Sequence, residues 1–344
     1  MGNSLREPQG EPLELRATHT DRTPAAVLPG FSVVGLGGVL ARAPYRARAG
    51  SAPGSAVSRG FRWRLADEWT GRWWPQGIAV GEYEGIPLAL VSWYAQPKRG
   101  VRQGARITVV DLRDRDRPRY RHVLLVEQRD SDAGVVLDPV LAHAGGIAWS
   151  GDRLLVAATF DGIREFRLGD ILRSGHGTRG PFGYDFVLPQ HGHHRAVEPH
   201  AKDRMRYSFL TVESGDEAGP ATDDAGLLHL PLVAGEYHRD DAHRIARLMM
   251  SGERTLVRET HVPEIARMQG VALHDGTWFV SASRGERRGG DLWSGPIDAL
   301  QQHEGVLPPG PEALAVWPER GELWSVSEIR GHRWLYSMKL ADLA

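Results

Sequence analysis

The chain has 344 residues, 42 of them basic and 43 acidic, and a formal charge of -1 leaves no cationic surplus for a nucleic-acid backbone or an anionic membrane. It has no cysteine, which excludes disulfides and thiolate metal sites. With 41% hydrophobic against 25% charged residues, there is apolar material for one large core rather than a disordered chain.

In chain order, the first stretch is polar and charge-rich, with Glu7, Glu11, Glu14, Arg16, Asp21 and Arg22 where a signal peptide would place a basic start followed by an apolar run. The apolar stretch from Ala25 to Ala41 is broken by Pro29 and several glycines, too interrupted for a membrane span. As written, the chain is expected in the cytoplasm; a different translation start would leave secretion open. Residues 1–58 are expected to be a partly flexible N-terminal extension, with Ala52-Pro-Gly-Ser-Ala56 as a joint and Phe31 to Leu40 laid on the body as a strand. The glycines from Gly35 to Gly38 have no helix after them and are discounted as a phosphate loop.

From residue 59 onward a motif recurs. Trp74-Pro-Gln-Gly-Ile-Ala-Val80 returns as His143-Ala-Gly-Gly-Ile-Ala-Trp149, as Arg267-Met-Gln-Gly-Val-Ala-Leu273 and as Gly310-Pro-Glu-Ala-Leu-Ala-Val316. Each copy is followed within about ten residues by a second short strand, the cadence of a β-propeller blade. The first blade is predicted as Gln76 to Val80, Leu88 to Trp93, Arg106 to Leu112 and Tyr120 to Glu127. Between its last two strands Arg113, Arg115, Arg117, Arg119 and Arg121 alternate with Asp114 and Asp116, as in a solvated turn. The second blade is predicted as Gly145 to Trp149, Leu154 to Thr159, Ile163 to Leu168 and Tyr184 to Leu188.

The stretch from Gly146 to Gly270 has room for two blades, so a third is expected without the glycine signature. Its inner strand is placed near Glu198 to Ala201, followed by Tyr207 to Val212, Leu227 to Leu232 and Ile245 to Met249. The fourth blade starts at Gln269 to Leu273 and the fifth at Glu312 to Val316. The fifth runs out of chain after three strands, and Phe61 to Leu65 is the candidate to complete it and close the ring, removing exposed sheet edges. The expected fold is therefore an all-β, five-bladed β-propeller of four-stranded antiparallel blades, closed by an N-terminal strand and occupying residues 59–344.

The Gly-Ile-Ala strand, followed by Gly151-Asp-Arg-Leu-Leu-Val-Ala157 and Gly162-Ile-Arg-Glu-Phe-Arg-Leu168, resembles NHL-type and gluconolactonase-type propeller repeats. Residues 60–340 also resemble a group of bacterial five-bladed propellers usually described only as secreted or hypothetical proteins. The resemblance implies the architecture and says little about chemistry, because propellers host many unrelated functions.

In such a ring the loops entering the inner strands share one face with those leaving the second strands. That face would gather Trp74, Gln76, His143, Glu198, His200, Arg267, Gln269 and Glu312, ringed by Tyr94, Asp161, Glu213, Arg284 and Glu328. The aligned column Gln76, Gly145, Gln269, Glu312 is the most telling. A buried amide or carboxylate without partners costs roughly 1–3 kcal/mol, so polar groups there point to channel water, a bound cation or a ligand. No cofactor is required by the sequence; Ca2+ or another divalent cation held by Glu198, His200 and Glu312 is one reading. His191-Gly-His-His194, read as a loop entering the third inner strand, is a second metal candidate. Among the glutamates, a glycosidase-type pair would need carboxylates about 5–9 Å apart.

No Gly-x-Ser-x-Gly, Walker or dinucleotide motif is present. The expected activity is non-redox acid/base or metal-assisted chemistry on a small molecule at the channel mouth: cyclisation, elimination or hydrolysis by a lyase, cyclase or hydrolase. His143 and His200 are candidates for proton transfer, Glu312 for the carboxylate and Arg267 for stabilising negative charge. Trp74, Gln76, Tyr94, Glu198, Gln269 and Arg284 would bind the ligand. The alternative is a non-catalytic propeller that presents this face to a glycan or a protein. No nucleic-acid or membrane partner is expected, and a monomer is compatible with the sequence.

Overall fold

Runs of Val, Ile, Leu and aromatic residues bounded by Gly, Asp and Pro fold into antiparallel meanders, as their alternating pattern requires. The computed structural model describes residues 14–19, 28–132, 134–175, 179–196, 205–216, 219–224, 226–241 and 243–343. The first meander runs Trp73–Tyr83, Ile86–Ala95, Ala105–Asp111 and Arg119–Ser131, each strand paired with the next. Arg113, Arg115 and Arg117 fall in the turn between its last two strands, where Arg113 folds back onto Asp111 at 2.6 Å, while Arg119 and Arg121 are already in the last strand. The next runs Ile147–Ser150, Arg153–Ala157, Ile163–Arg167 and part of Phe186–Ala196.

A third meander consists of Phe209–Val212, Leu228–Gly235, Ile245–Ser251 and Arg254–His261. Met268–His274, Thr277–Ala282, Gly290–Gly295 and Gln301–Leu307 follow as a separate four-stranded sheet. Pro311–Trp317, Glu322–Ser327 and Trp334–Lys339 form the last, continued by Arg59–Arg62 and then Arg48–Gly50. The leading strand of each meander packs against the leading strand of the next, and Pro311–Trp317 packs against Trp73–Tyr83. The body is thus all-β and propeller-like, with the leading strands around a common axis.

The recurring glycine marks where these strands approach one another. A Cβ on Gly146 would stand 1.9 Å from the Leu210 nitrogen, and one on Gly270 would stand 2.5 Å from the Ala313 Cα. Serines on the second strands tie the same contacts: Ser92 Oγ donates to the Ala144 carbonyl at 2.7 Å, and Ser281 Oγ to that of Glu312 at 2.8 Å. The motif therefore encodes inter-sheet contact at the axis rather than a site.

Several expectations change. The third leading strand is Phe209–Val212, one strand later than placed from the sequence, and Glu198 to Ala201 lie outside the described residues. The neighbour's Gly145 and Gly146 supply the room there, so this strand needs no glycine of its own. His191 to His194 lie within strand Phe186–Ala196 rather than in a loop at the mouth. His194 is fully buried, with Nε2 3.1 Å from Glu165, and His193 bonds the Asp161 carbonyl.

Residues 28–58 lie against the body. Phe31–Val33 pairs with Leu172–Ser174, and Tyr45–Arg46 pairs with Arg119–Ser131. After Val33 the chain turns into a short helix, Gly35–Leu40, because Leu36, Val39 and Leu40 fall on one helical face that is buried beside Ile107 and Phe166. Glu14–His19 is a further strand, antiparallel to both Phe186–Ala196 and Arg254–His261.

Candidate functional site

Three of the leading strands carry a β-bulge at the same place, between Pro75 and Ile78, between Met268 and Gly270, and between Pro311 and Leu314. An extra residue in one strand re-aims its side chain. Here the residues inside the bulges are Gln76, Gln269 and Glu312, and all three line one cavity of about 570 Å3. Tyr94 and Glu328, from the exits of second strands, and His143, from the entry to the second meander, line it too. The sequence column thus becomes the floor of a pocket of small-ligand size.

Glu312 is 3% exposed. Burial first, then the like charge of Glu328, pushes its carboxyl well above the ordinary carboxylate range, which favours the protonated acid. Burial also raises Glu328, but Gln76 Nε2 donates to it at 2.8 Å and the Arg333 guanidinium favours its charged form. Both carboxyls are biased toward the protonated acid, but only Glu328 has partners that offset its burial. Arg333 is fully buried and lowered to about 10 by burial, with its Nη1 donating to the Asp67 carbonyl at 2.8 Å.

His143 stacks on Tyr94, ring centroids 4.2 Å apart and tilted by 34°. It stands at the rim with one side open to solvent, and desolvation by the cavity wall lowers its pKa and favours the neutral ring. Tyr94 is raised by burial and keeps its hydroxyl proton. Other lining residues were not foreseen: Arg206, 4.9 Å over the Phe160 ring, and Thr159, Ser208 and Tyr237.

Tyr237 follows the second strand of the third meander, the position that Tyr94 and Glu328 hold in theirs. The rule that selects second-strand exits would have found it, but the one-strand displacement put Glu213 there instead. Glu213 is buried at the far end of the leading strand, paired with Arg247 at 2.7 Å, and lines a second cavity of about 810 Å3. That cavity is larger, yet its buried carboxylate is neutralised, whereas Glu312 in the first is not.

Two predicted ligand contacts, Trp74 and Arg284, and one predicted catalytic residue, Arg267, fall outside the lining of the first cavity. Trp74 is covered by the Arg333 guanidinium 5.0 Å from its ring rather than presenting a free face. Arg284 is held by Glu304 at 2.6 Å and Asp291 at 3.6 Å. Arg267 has a left-handed backbone (φ 59°) and donates its Nε to the Arg239 carbonyl at 3.0 Å, away from the floor. Asp161, expected beside the mouth, pairs with Arg164 at 3.0 Å. Glu198 and His200 lie outside the described residues. For a hard divalent cation, the floor offers the carboxylates of Glu312 and Glu328 and the side-chain carbonyl of Gln269, oxygen donors of the kind such an ion takes, while Gln76 turns its Nε2 rather than its carbonyl to Glu328.

No protein-family model matches the chain, and no curated protein matches its sequence. Similar solved structures include a gluconolactonase from Xanthomonas campestris, 13% identical, TM-score 0.37, covering 85% of this chain and 87% of that one. A GH43_1 enzyme from Xanthomonas citri is also 13% identical, with a TM-score of 0.36, covering 79% of this chain and 88% of that one. The β-propeller domain of Cps50 (Swd1) from Myceliophteria thermophila is 9% identical, with a TM-score of 0.37, covering 82% and 98%. Similarities this distant carry nothing about the chemistry of the site.

Proposed function

We propose that the five meanders are the blades of a closed propeller, completed by Arg59–Arg62, and that the cavity at one end of its channel is the active site of an enzyme acting on a small polar molecule. The observation that carries this reading is Glu312. A carboxyl that burial and a like-charged neighbour bias toward the protonated form, on the floor of an open cavity, is a proton donor awaiting an acceptor. Glu328, raised by burial but with Gln76 and Arg333 supporting its charged form, would serve as base or as electrostatic partner to developing positive charge. Neutral His143 would take up a second proton at the rim, and Tyr94, Phe160 and Tyr237 would form the walls. Non-redox hydrolysis, elimination and cyclisation can each use this division into one acid and one base.

A divalent cation held by Glu312, Glu328 and Gln269 would instead supply Lewis-acid polarisation of a substrate oxygen. The rim also exposes Phe160 (66%) and Leu141 (43%), which favours the second reading of a non-catalytic glycan- or protein-binding face. A polar floor beneath the rim argues against a purely apolar docking surface.

The test is turnover of a panel of small lactones and glycosides, with and without added Ca2+, by the wild-type protein and variants. Glu312→Gln should lower kcat on the order of 100-fold or more with KM little changed, and His143→Ala should lower it less. Full activity in both variants rejects the assignment. Calorimetric binding of a ligand without product would favour the binding reading.

A further inference from the structure

The turn between Leu228–Gly235 and Ile245–Ser251 holds a cluster that no part of the floor chemistry uses. His238, Asp241 and His243 each offer a ligand atom, and these atoms lie within 4.8 Å of one another, the one such group among the described residues. We propose that this turn binds a divalent first-row transition ion of the Zn2+ type, with these three side chains as ligands and a further coordination position open to water or a small ligand.

Two features of the surroundings support a cation there. His243 Nδ1 lies 3.4 Å from Glu236 Oε2. Glu236 is 2% exposed and is fixed by the Arg206 N–H and by Arg244 Nη2, each donating to Oε1 at 2.8 Å. With Oε2 turned to His243 Nδ1, the ring is oriented so that its Nε2 is the atom left for a metal. This carboxylate–imidazole arrangement orients metal-binding histidines.

The second feature is at His238. Its Nδ1 accepts the Asp241 N–H at 3.2 Å and the Asp240 N–H at 3.4 Å, which orients the ring toward the turn. Asp241 Oδ2 lies 3.4 Å from the same nitrogen. This separation matches the edge of a tetrahedron with bonds of about 2.0–2.1 Å. Paired imidazoles with one carboxylate suit Zn2+ and its neighbours better than Ca2+ or Mg2+, which prefer all-oxygen ligands.

The placement connects this site to the cavity. Tyr237, next to His238, lines the cavity, and the Arg267 N–H donates to the His238 carbonyl at 3.0 Å. A bound ion would fix the turn that carries Tyr237, and the site would exist whether or not the floor is catalytic.

The test uses full-length protein stripped with a chelator and titrated with Co2+, followed by its visible absorption, and with Zn2+ by calorimetry. One tight site per chain is expected, its affinity lowered on the order of 100-fold or more in His243→Ala and His238→Ala. Glu236→Gln, which keeps all three ligands, should weaken it by roughly 10–100-fold. His191→Ala, in the other histidine-rich segment, should leave the spectrum unchanged. The proposal is overturned if the stripped protein fails to bind either ion. It is equally overturned if the Co2+ spectrum survives in both ligand variants, or disappears with His191→Ala.

Discussion

Asp67 and Glu312 are both buried carboxyls, and the protein treats them in opposite ways. Asp67 Oδ2 accepts from the Tyr120 hydroxyl and from Arg64 Nε, each at 2.7 Å, while Oδ1 lies 3.1 Å from His122 Nε2 and 3.5 Å from Arg106. Burial would raise this carboxyl, but His122, Arg106 and Tyr120 hold it far below the ordinary range. His122 is itself lowered to about 4, by burial and then by Arg106, so near neutral pH it acts as an N–H donor and takes the Thr108 hydroxyl on Nδ1 at 2.7 Å. Glu312 has burial and a like charge instead. A fully partnered carboxylate locks the segment near residue 65 to the first meander, whereas one denied a cation is left holding a proton it can give away.

The comparison breaks first at Asp67. Asp67→Ala leaves Arg106 and the polar groups of Tyr120 and His122 buried without their acceptor, and should cost about 3–5 kcal/mol in urea unfolding. A cost under about 1 kcal/mol would mean that the network is not what holds this segment.

The contrast also explains what was legible in sequence. The floor was legible because Gln76, Gln269 and Glu312 occupy one column of a repeat, and a polar residue where its neighbours in the strand are apolar stands out. The bulges that re-aim those side chains leave no compositional trace. Phe209–Val212 was hidden because it carries no glycine: the room at its contact with the preceding leading strand comes from that neighbour's Gly145 and Gly146. Arg206, Phe160 and Tyr237 lie in segments outside the repeat, where only the correct strand count gives their position. Asp67 was unreadable because its partners Tyr120, His122 and Arg106 come from two strands far along the chain and carry no spacing that links them to it.

Acid should separate the two regions next. His122 has a folded pKa of about 4, below the ordinary histidine value of 6.5, so the stability tied to its neutral form is complete above 6.5 and is lost as pH falls through about 4. Unfolding free energy should decline over that window by about 1–3 kcal/mol, and His122→Gln should flatten the decline. An unchanged slope in the variant would place the acid sensitivity elsewhere. Glu165, lowered to about 2 by His194 and Arg153 against its burial, loses its contribution at still lower pH and so does not confuse the reading.

The smallest effect is the most informative about the site. Because Glu312 is raised above 4.5 in the folded protein, the native state binds more protons than the unfolded chain between that value and its folded pKa, and stability falls as pH rises through the interval. Glu312→Gln removes that titration. The variant should match the wild type near pH 4 and become the more stable of the two as pH rises, with a gap on the order of 1 kcal/mol in thermal or urea unfolding. Parallel profiles would mean that a positive charge already compensates Glu312 and would dissolve the contrast with Asp67. Added Ca2+ sharpens the result: if the floor takes a hard cation, the ion stabilises the wild type at high pH, the gap closes, and Glu312 becomes a ligand rather than a proton donor.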